Sequence, residues 1–355
     1  MRQISFILIL LLSSWGYGQS SLKDTVTSVL FIGNSYTHMN DMPSIFEKIA
    51  KAKDQRVLVE KSTKSGASLE EHSQREGMYK AIKSRPWDIV VLQGFSREFS
   101  FPQSHIDSAT IPYLAQIIDS IRTNHINTQI LFYMTWGYKE GYKEIEAVDT
   151  YPKMAQAIID GYQYASEYFC LPIAPVGQVW RDIRNYHPQL NLYDADMAHP
   201  NRNGSFLAAS TFYSAIFNES AYGAITSTIG LSEAQKIHRS VAKIVLADPQ
   251  NFMLNEINIG LRQITHVDGT YHLYASTSIP FIEEIRWDFG DGQYSNKINP
   301  SHEYKYPGSY QIRVSITFDG QVRHYVRNIY FKGVIKPEKN PKKSIKKGNK
   351  PFKKI

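Results

Sequence analysis

The stretch SVLFIGNSYTHMND (residues 28–41) decides the fold. A mostly apolar run, Val29 to Ile32, closes on Gly33 and passes directly into Asn34-Ser35-Tyr36-Thr37. Apolar runs of this length bounded by a turn residue read as a strand buried on both faces. Outward from it the pattern repeats. SVLFIG, RVLVEKS (56–62), WDIVVLQ (87–93), TQILFYMTW (128–136) and LPIAPV (171–176) alternate with helical periodicities over 43–53, 69–83, 106–122, 152–168 and 204–217, and 231–247 reads as a closing helix. Strands alternating with helices predict a three-layer α/β unit on a parallel sheet. Ser35 then sits at the carboxyl rim, where ligands bind in such folds. Taken alone, Asn34 and Ser35 are equally well explained as a turn.

After Asp248 the texture changes. INIGLRQI, TYHLYAST, IEEIRWDF, SYQIRVSITF and VRHYVRNIYF alternate polar and apolar residues between turn signals such as Asp291-Gly292 and Pro307-Gly308. This is the signature of an all-β sandwich, and DPQN (248–251) marks the boundary. The expected division is a signal peptide over 1–18, an α/β domain over 25–250, a β-sandwich over 251–332 and a basic tail over 333–355.

The chain has 355 residues, of which 42% are hydrophobic and 13% aromatic, enough to bury a large core. Arg2, the apolar run Ile4–Leu12 and the small residues before Gln19 predict a cleaved secretory signal. That run is too short for a stable membrane span, and no cysteine follows it to carry a lipid. A secreted or periplasmic product follows. The single cysteine, Cys170, excludes an intrachain disulfide and a thiolate metal cluster; its apolar flanks predict a buried, inert thiol.

The net charge of +7 is a property of the tail. From Lys332 onward ten Lys face Glu338 alone; without this segment and Arg2 the remainder carries −3. A Lys/Pro/Gly/Asn run of this kind is expected to be disordered and to meet an anionic surface or act as a solubilising linker. With secretion and only Phe352 as an interleaved aromatic, nucleic acid is not an expected partner.

A nucleophilic serine needs a base, an orienter and oxyanion donors. In YDADMAHPNRNGSFLAA (193–209), Asp196 and His199 lie three apart, so one loop can deliver both. Asp194 is a rival orienter, and Asn203 a candidate cap for the next helix whatever His199 does. Gly66 in STKSGASLEEH follows the second strand with an unhindered N–H, and the carboxamide of Gln93 ends the third. Each has a plain structural reading when taken singly.

Taken in order, the serine block, the glycine block, the amide block and the Asp-x-x-His block resemble the SGNH hydrolase superfamily of GDSL-like esterases over residues 27–217. The resemblance implies Ser35 as nucleophile, His199 as base, Asp196 as its orienter, and an oxyanion hole built by Ser35, Gly66 and Gln93. It departs at two places. Gly33-Asn34-Ser35 replaces Gly-Asp-Ser, and Leu92-Gln93-Gly94-Phe95 replaces Gly-x-Asn-Asp.

The C-terminal segment WDFGDGQYSNKINPSHEYKYPGSYQIRVSI (287–316) resembles a PKD-type sandwich, in which Asp288 and Asp291 serve turns rather than a calcium site.

Phe95, Trp136 and Tyr138 fall on loops at the rim of Ser35 and are candidate substrate-binding residues; Trp136, Tyr138 and Tyr142 could stack on a sugar face, and burial against the sheet explains Trp136 equally well. No histidine pattern has the spacing of a metal site, so neither metal nor cofactor is expected. The resulting expectation is a secreted serine esterase acting on acylated polysaccharide. The rival readings are a non-catalytic glycan-binding protein and a lipase or thioesterase.

Overall fold

The computed structural model describes residues 26–125, 128–169, 171–224, 229–254, 264–265, 270–272, 283–297, 300–318 and 321–331. The expected signal peptide, Cys170 and the basic tail lie outside them. The chain forms two compact units, the first ending shortly after the DPQN segment.

The first unit is a five-stranded sheet, β1 (Thr27–Gly33), β2 (Val57–Thr63), β3 (Ile89–Leu92), β4 (Gln129–Tyr133) and β5 (Ile173–Ala174), with spatial order β2-β1-β3-β4-β5. Every pairing in it is parallel. Val29, Leu30, Phe31 and Ile32 are essentially inaccessible to solvent, as a central parallel strand covered on both faces requires.

The connecting helices are α1 (Ser35–His38), α2 (Met42–Ala52), α3 (Leu69–Ser73), α4 (Glu76–Lys83), α5 (Gln103–Ala109), α6 (Ile111–Asn124), α7 (Tyr151–Phe169), α8 (Val176–Tyr186), α9 (Arg202–Phe217) and α10 (Leu231–Val241). α2, α8, α9 and α10 pack together as one group, while α3, α4 and α5 gather on α6 as another. α2 buries Met42, Ile45, Phe46 and Ile49, the spacing of a single helical stripe. α9 is buried all round from Gly204 to Ala215, so it carries no polar face.

The structure departs from the expected elements where local chemistry interrupts a period. The pattern over 69–83 is two helices, because Arg75 takes an extended conformation between them. The pattern over 106–122 breaks at Thr110, where Pro112 starts a new helix in the first-turn position proline favours. The closing helix ends in a π-helical turn over Ala242–Leu246. α1 and α8 were not expected; α8 buries Val176, Val179, Trp180 and Ile183 at helical spacing, and its first residue falls in the strand expected over LPIAPV.

Among the described residues the second unit holds two antiparallel sheets. One contains β6 (Ile264–Thr265), β7 (Thr270–His272) and β10 (Ser301–Glu303) in the order β10-β7-β6. The other contains β8 (Glu284–Asp288), β9 (Tyr294–Ser295), β11 (Gly308–Phe318) and β12 (Gln321–Phe331) in the order β12-β11-β8-β9. Ile285, Trp287, Ile312, Val314 and Ile316 alternate into its core. Asp288 accepts Gly290 N–H, and Asp291 accepts Gln293 N–H while meeting His302 Nε2 at 2.8 Å. Both aspartates thus make the turn bonds expected of them.

Candidate active site

At the carboxyl end of β1 the chain turns sharply through Gly33 and Asn34 into α1. Asn34 caps that helix, its Oδ1 accepting Tyr36 N–H, and Ser35 becomes the first helical residue. The Ser35 N–H therefore has no intrahelical acceptor and is open to another one. A Cβ at Gly33 would lie 2.5 Å from Gln93 Oε1 and collide with the Thr37 hydroxyl, so only glycine admits this packing.

His199 reaches Ser35 from the loop between α8 and α9, across 164 residues. Its Nε2 stands 2.8 Å from Ser35 Oγ. Its Nδ1 makes a very short contact with Asp196 Oδ2, and Asp196 Oδ1 accepts the N–H groups of Ala198 (3.0 Å) and His199 (2.9 Å). Partial burial pushes the Asp196 carboxyl up, but these donors and the imidazole outweigh it and hold it below the usual range. Asp196 is thus ionised at neutral pH. Asp194, the rival orienter, is taken up by Ala195 N–H. The cap of α9 is Asn201, which accepts Asn203 and Gly204 N–H; Asn203 is instead one of the residues capped.

Gly66 has a φ of +71° and lines the same cleft as Ser35 and His199. Its loop is tied to the serine turn by Lys64 N–H donating to Gly33 O and by Asn34 Nδ2 donating to Ala67 O.

Gln93 is placed differently from expectation. Its side chain is fully buried and does not line the cleft. Its Oε1 accepts Asn34 N–H (2.9 Å) and the Thr37 hydroxyl (2.8 Å), and its Nε2 donates to Asn34 Oδ1 (2.8 Å) and to Gly94 O. The Asn34 N–H fixes this orientation, since a flipped amide would set two donors face to face. The extra methylene carries the amide past the rim and under the serine turn. The two departures from the SGNH pattern, Asn34 and Gln93, are one hydrogen-bonded pair.

Of the expected aromatic residues, Phe95 and Tyr138 line the cleft and Trp136 does not. Trp136 is 1% exposed, sandwiched between Tyr36 (ring centroids 4.4 Å apart) and Trp180 (4.0 Å). Its Nε1 donates to Ala198 O, next to His199. One indole therefore braces both the serine turn and the histidine loop, a position unavailable for stacking on a sugar.

Two contributors were not singled out from the sequence. Asn40, with a φ of +53°, donates to Pro200 O and Ser205 Oγ and so also joins the two loops. The turn dipeptide Asn40-Asp41 is the signal that marked it. Glu98 is buried and accepts N–H groups from Phe95 (2.6 Å) and Leu69, linking the loop after β3 to the start of α3. Burial raises its carboxyl to about 7 against those two donors, helped by Glu70 and Glu71 nearby. A raised folded-state value means the folded chain holds a proton the unfolded chain has released. Stability contributed by Glu98 is thus greatest in acid and falls as pH rises to about 7, by roughly 3 kcal/mol in the limit. The melting temperature of Glu98→Gln, relative to that of the parent, should accordingly rise over this interval; a pH-independent difference would exclude the effect.

The cleft has a volume of about 460 Å³. It presents a serine hydroxyl in contact with an imidazole that is oriented by a carboxylate, beside backbone N–H groups. Such a set can deprotonate the hydroxyl as it attacks a carbonyl and can hold the oxyanion that forms.

Residues 257–332 match the family model described as a PKD domain. The α/β unit shares its fold with a DUF4886 family protein from Bacteroides uniformis, at 19% identity and a TM-score of 0.55, covering 62% of this chain and 95% of the other. A protein described as a GDSL-like lipase from Parabacteroides merdae aligns at 16% identity and a TM-score of 0.40, over 52% of this chain and 93% of that one. Comparison with curated proteins returns no match. An α/β unit on a parallel sheet followed by a PKD domain is the architecture expected from the sequence.

Proposed function

We propose that the α/β unit is a serine hydrolase acting on carboxylic esters. The observation that carries this reading is the continuous contact from Ser35 Oγ through His199 Nε2 and Nδ1 to Asp196. Ser35 Oγ attacks the ester carbonyl as His199 Nε2 takes its proton. Asp196 holds the imidazole in the tautomer that leaves Nε2 free and offsets the charge it acquires. The N–H groups of Ser35 and Gly66 receive the oxyanion. Collapse of the tetrahedral species breaks the bond to the alcohol, which leaves with the proton from His199. Water then attacks the acyl-serine, His199 accepting its proton and returning it to Ser35. The free acid and the original enzyme result.

In this scheme Gln93 is not an oxyanion donor; with Asn34 it shapes the turn that presents Ser35. The substrate class is an O-acetylated polysaccharide, supported by the expected secretion of the chain and by an open, uncharged cleft with aromatic walls. Phe95 and Tyr138 line that cleft.

A fluorophosphonate probe tests the central claim. It should label Ser35 in the parent protein, and labelling should fall by orders of magnitude in His199→Ala. An unlabelled serine, or labelling indifferent to His199, would sink the proposal. Steep loss of activity on 4-nitrophenyl esters beyond propionyl should separate a short-acyl enzyme from a lipase.

A further inference from the structure

Besides Ser35 the cleft wall carries the hydroxyl groups of Ser65, Tyr36, Ser96 and Tyr138, and the last three, from three separate segments, gather in one place. Ser96 Oγ and Tyr138 OH are hydrogen-bonded at 2.8 Å, and both residues line the cleft. Tyr36, whose backbone follows Ser35, places its ring against Trp136 and brings its hydroxyl beside Ser96. That hydroxyl is buried and has no hydrogen-bond partner of normal geometry among the described residues.

A buried hydroxyl left unpaired is costly, by about 1–3 kcal/mol, and that of Tyr36 is in this position; Ser96 and Tyr138 pair with each other, and each keeps capacity for a further bond from a ligand. Either hydroxyl can be the donor in the Ser96–Tyr138 bond. When Ser96 donates, Tyr138 is left with its own O–H to present to the cleft. The Tyr36 hydroxyl stands beside Ser96 without a bond of normal geometry to it. A serine or tyrosine hydroxyl carries one proton and accepts others, so the pair can act as a donor to a ligand. Burial keeps the Tyr36 phenol protonated far above neutral pH, so it sets no charge beside the pair.

The remaining lining narrows the ligand. Among the described residues lining the cleft there is no Asp, Glu, Lys or Arg; its imidazoles are His38 and His199, and burial, with Lys61 nearby, holds His38 below its usual range, so the lining offers no fixed charge to a uronate, a phosphate or an ammonium group. A long acyl chain is also a poor match, because it would strip water from the hydroxyls without replacing their bonds. A neutral ring bearing hydroxyls satisfies both the donor and the flanking aromatic surfaces of Phe95 and Tyr138.

We propose that Tyr138, backed by Ser96 and Tyr36, is the subsite for the alcohol half of the ester, and that this half is a neutral sugar ring whose hydroxyl accepts from Tyr138. The inference rests on the serine-esterase reading above. Tyr138 and Ser96 are therefore specificity residues, and Tyr36 is a positioning residue.

The test compares two acetate esters, one of methyl β-xylopyranoside and one of 4-nitrophenol, the second offering no hydroxyl to the subsite. The readout is the ratio of their kcat/KM values, which cancels any general loss of activity or fold. Tyr138→Phe should lower this ratio about tenfold, the scale of one lost hydrogen bond to a neutral group. Ser96→Ala should lower it severalfold by disorienting the same donor. Ratios within twofold of the parent in both variants would overturn the inference, as would a parent that cleaves the aryl ester but not the sugar ester. Both of those outcomes leave fluorophosphonate labelling of Ser35 intact. Failure of labelling would instead remove the esterase reading on which the subsite depends.

Discussion

Ser35→Ala should abolish turnover, with kcat on 4-nitrophenyl acetate falling by at least about 10³-fold, toward the residual rate that a polar cleft supports without its nucleophile. The fold should survive it. Ser35 is only partly buried, and the bond it loses is the one to His199. The cap on α1 comes from Asn34, and the turn is held by Gln93, so neither depends on the hydroxyl. Thermal melting should therefore stay within a degree or two of the parent while activity vanishes. Substantial residual hydrolysis in a folded Ser35→Ala protein would show that another group attacks the ester. Because the three members of such a set act as one unit, Ser35→Ala combined with His199→Ala should be scarcely worse than either alone.

Gln93→Ala should have the opposite profile, with stability and activity failing together. Its amide makes four hydrogen bonds in a fully buried position, to Asn34 N–H, the Thr37 hydroxyl, Asn34 Oδ1 and Gly94 O. Truncation strands at least the Asn34 N–H and the Thr37 hydroxyl without water to replace the lost partner. At about 1–3 kcal/mol for each stranded group, a loss of roughly 3–5 kcal/mol is expected. Released from its brace, Asn34 no longer holds Ser35 toward His199 or Ala67 toward the turn, so kcat should fall in whatever fraction remains folded. Gln93→Glu provides the sharper comparison. It retains the acceptor for Asn34 N–H but sets a second carboxylate oxygen against Asn34 Oδ1 and Gly94 O, which repels both unless the acid is protonated. Melting temperatures measured against pH should show Gln93→Glu recovering in acid. Were Gln93 an oxyanion donor instead, Gln93→Ala would lose kcat at unchanged stability.

The reach of the sequence can be judged from individual residues. Val29–Ile32 was legible as a strand covered on both faces because the run is too short for a helix, closes on Gly33 and opens a repeating strand–helix order. Asp196 and His199 were legible as a pair because their contact is local and three residues apart. Trp136, which the sequence left open between sugar stacking and burial against the sheet, and Gln93, expected at the rim, both face inward for a common reason: the direction of a side chain at a strand end is set by what packs beside it. An indole met Tyr36 and Trp180 and turned inward. An amide one methylene longer than asparagine met Asn34 and Thr37 and did the same. Glu98 went unnoticed because its partners are backbone N–H groups, which leave no trace in a sequence.

Local chemistry and periodicity therefore determined the layered α/β unit, the β-sandwich after it and the order of the blocks along the rim. Tertiary structure decided which of those rim residues face the cleft. The reason is physical: alternation and spacing report which residues must leave water, but hydrogen-bond direction in a buried network depends on donors and acceptors brought from 59 residues away, as with Gln93 and Asn34, or from 164, as with Ser35 and His199.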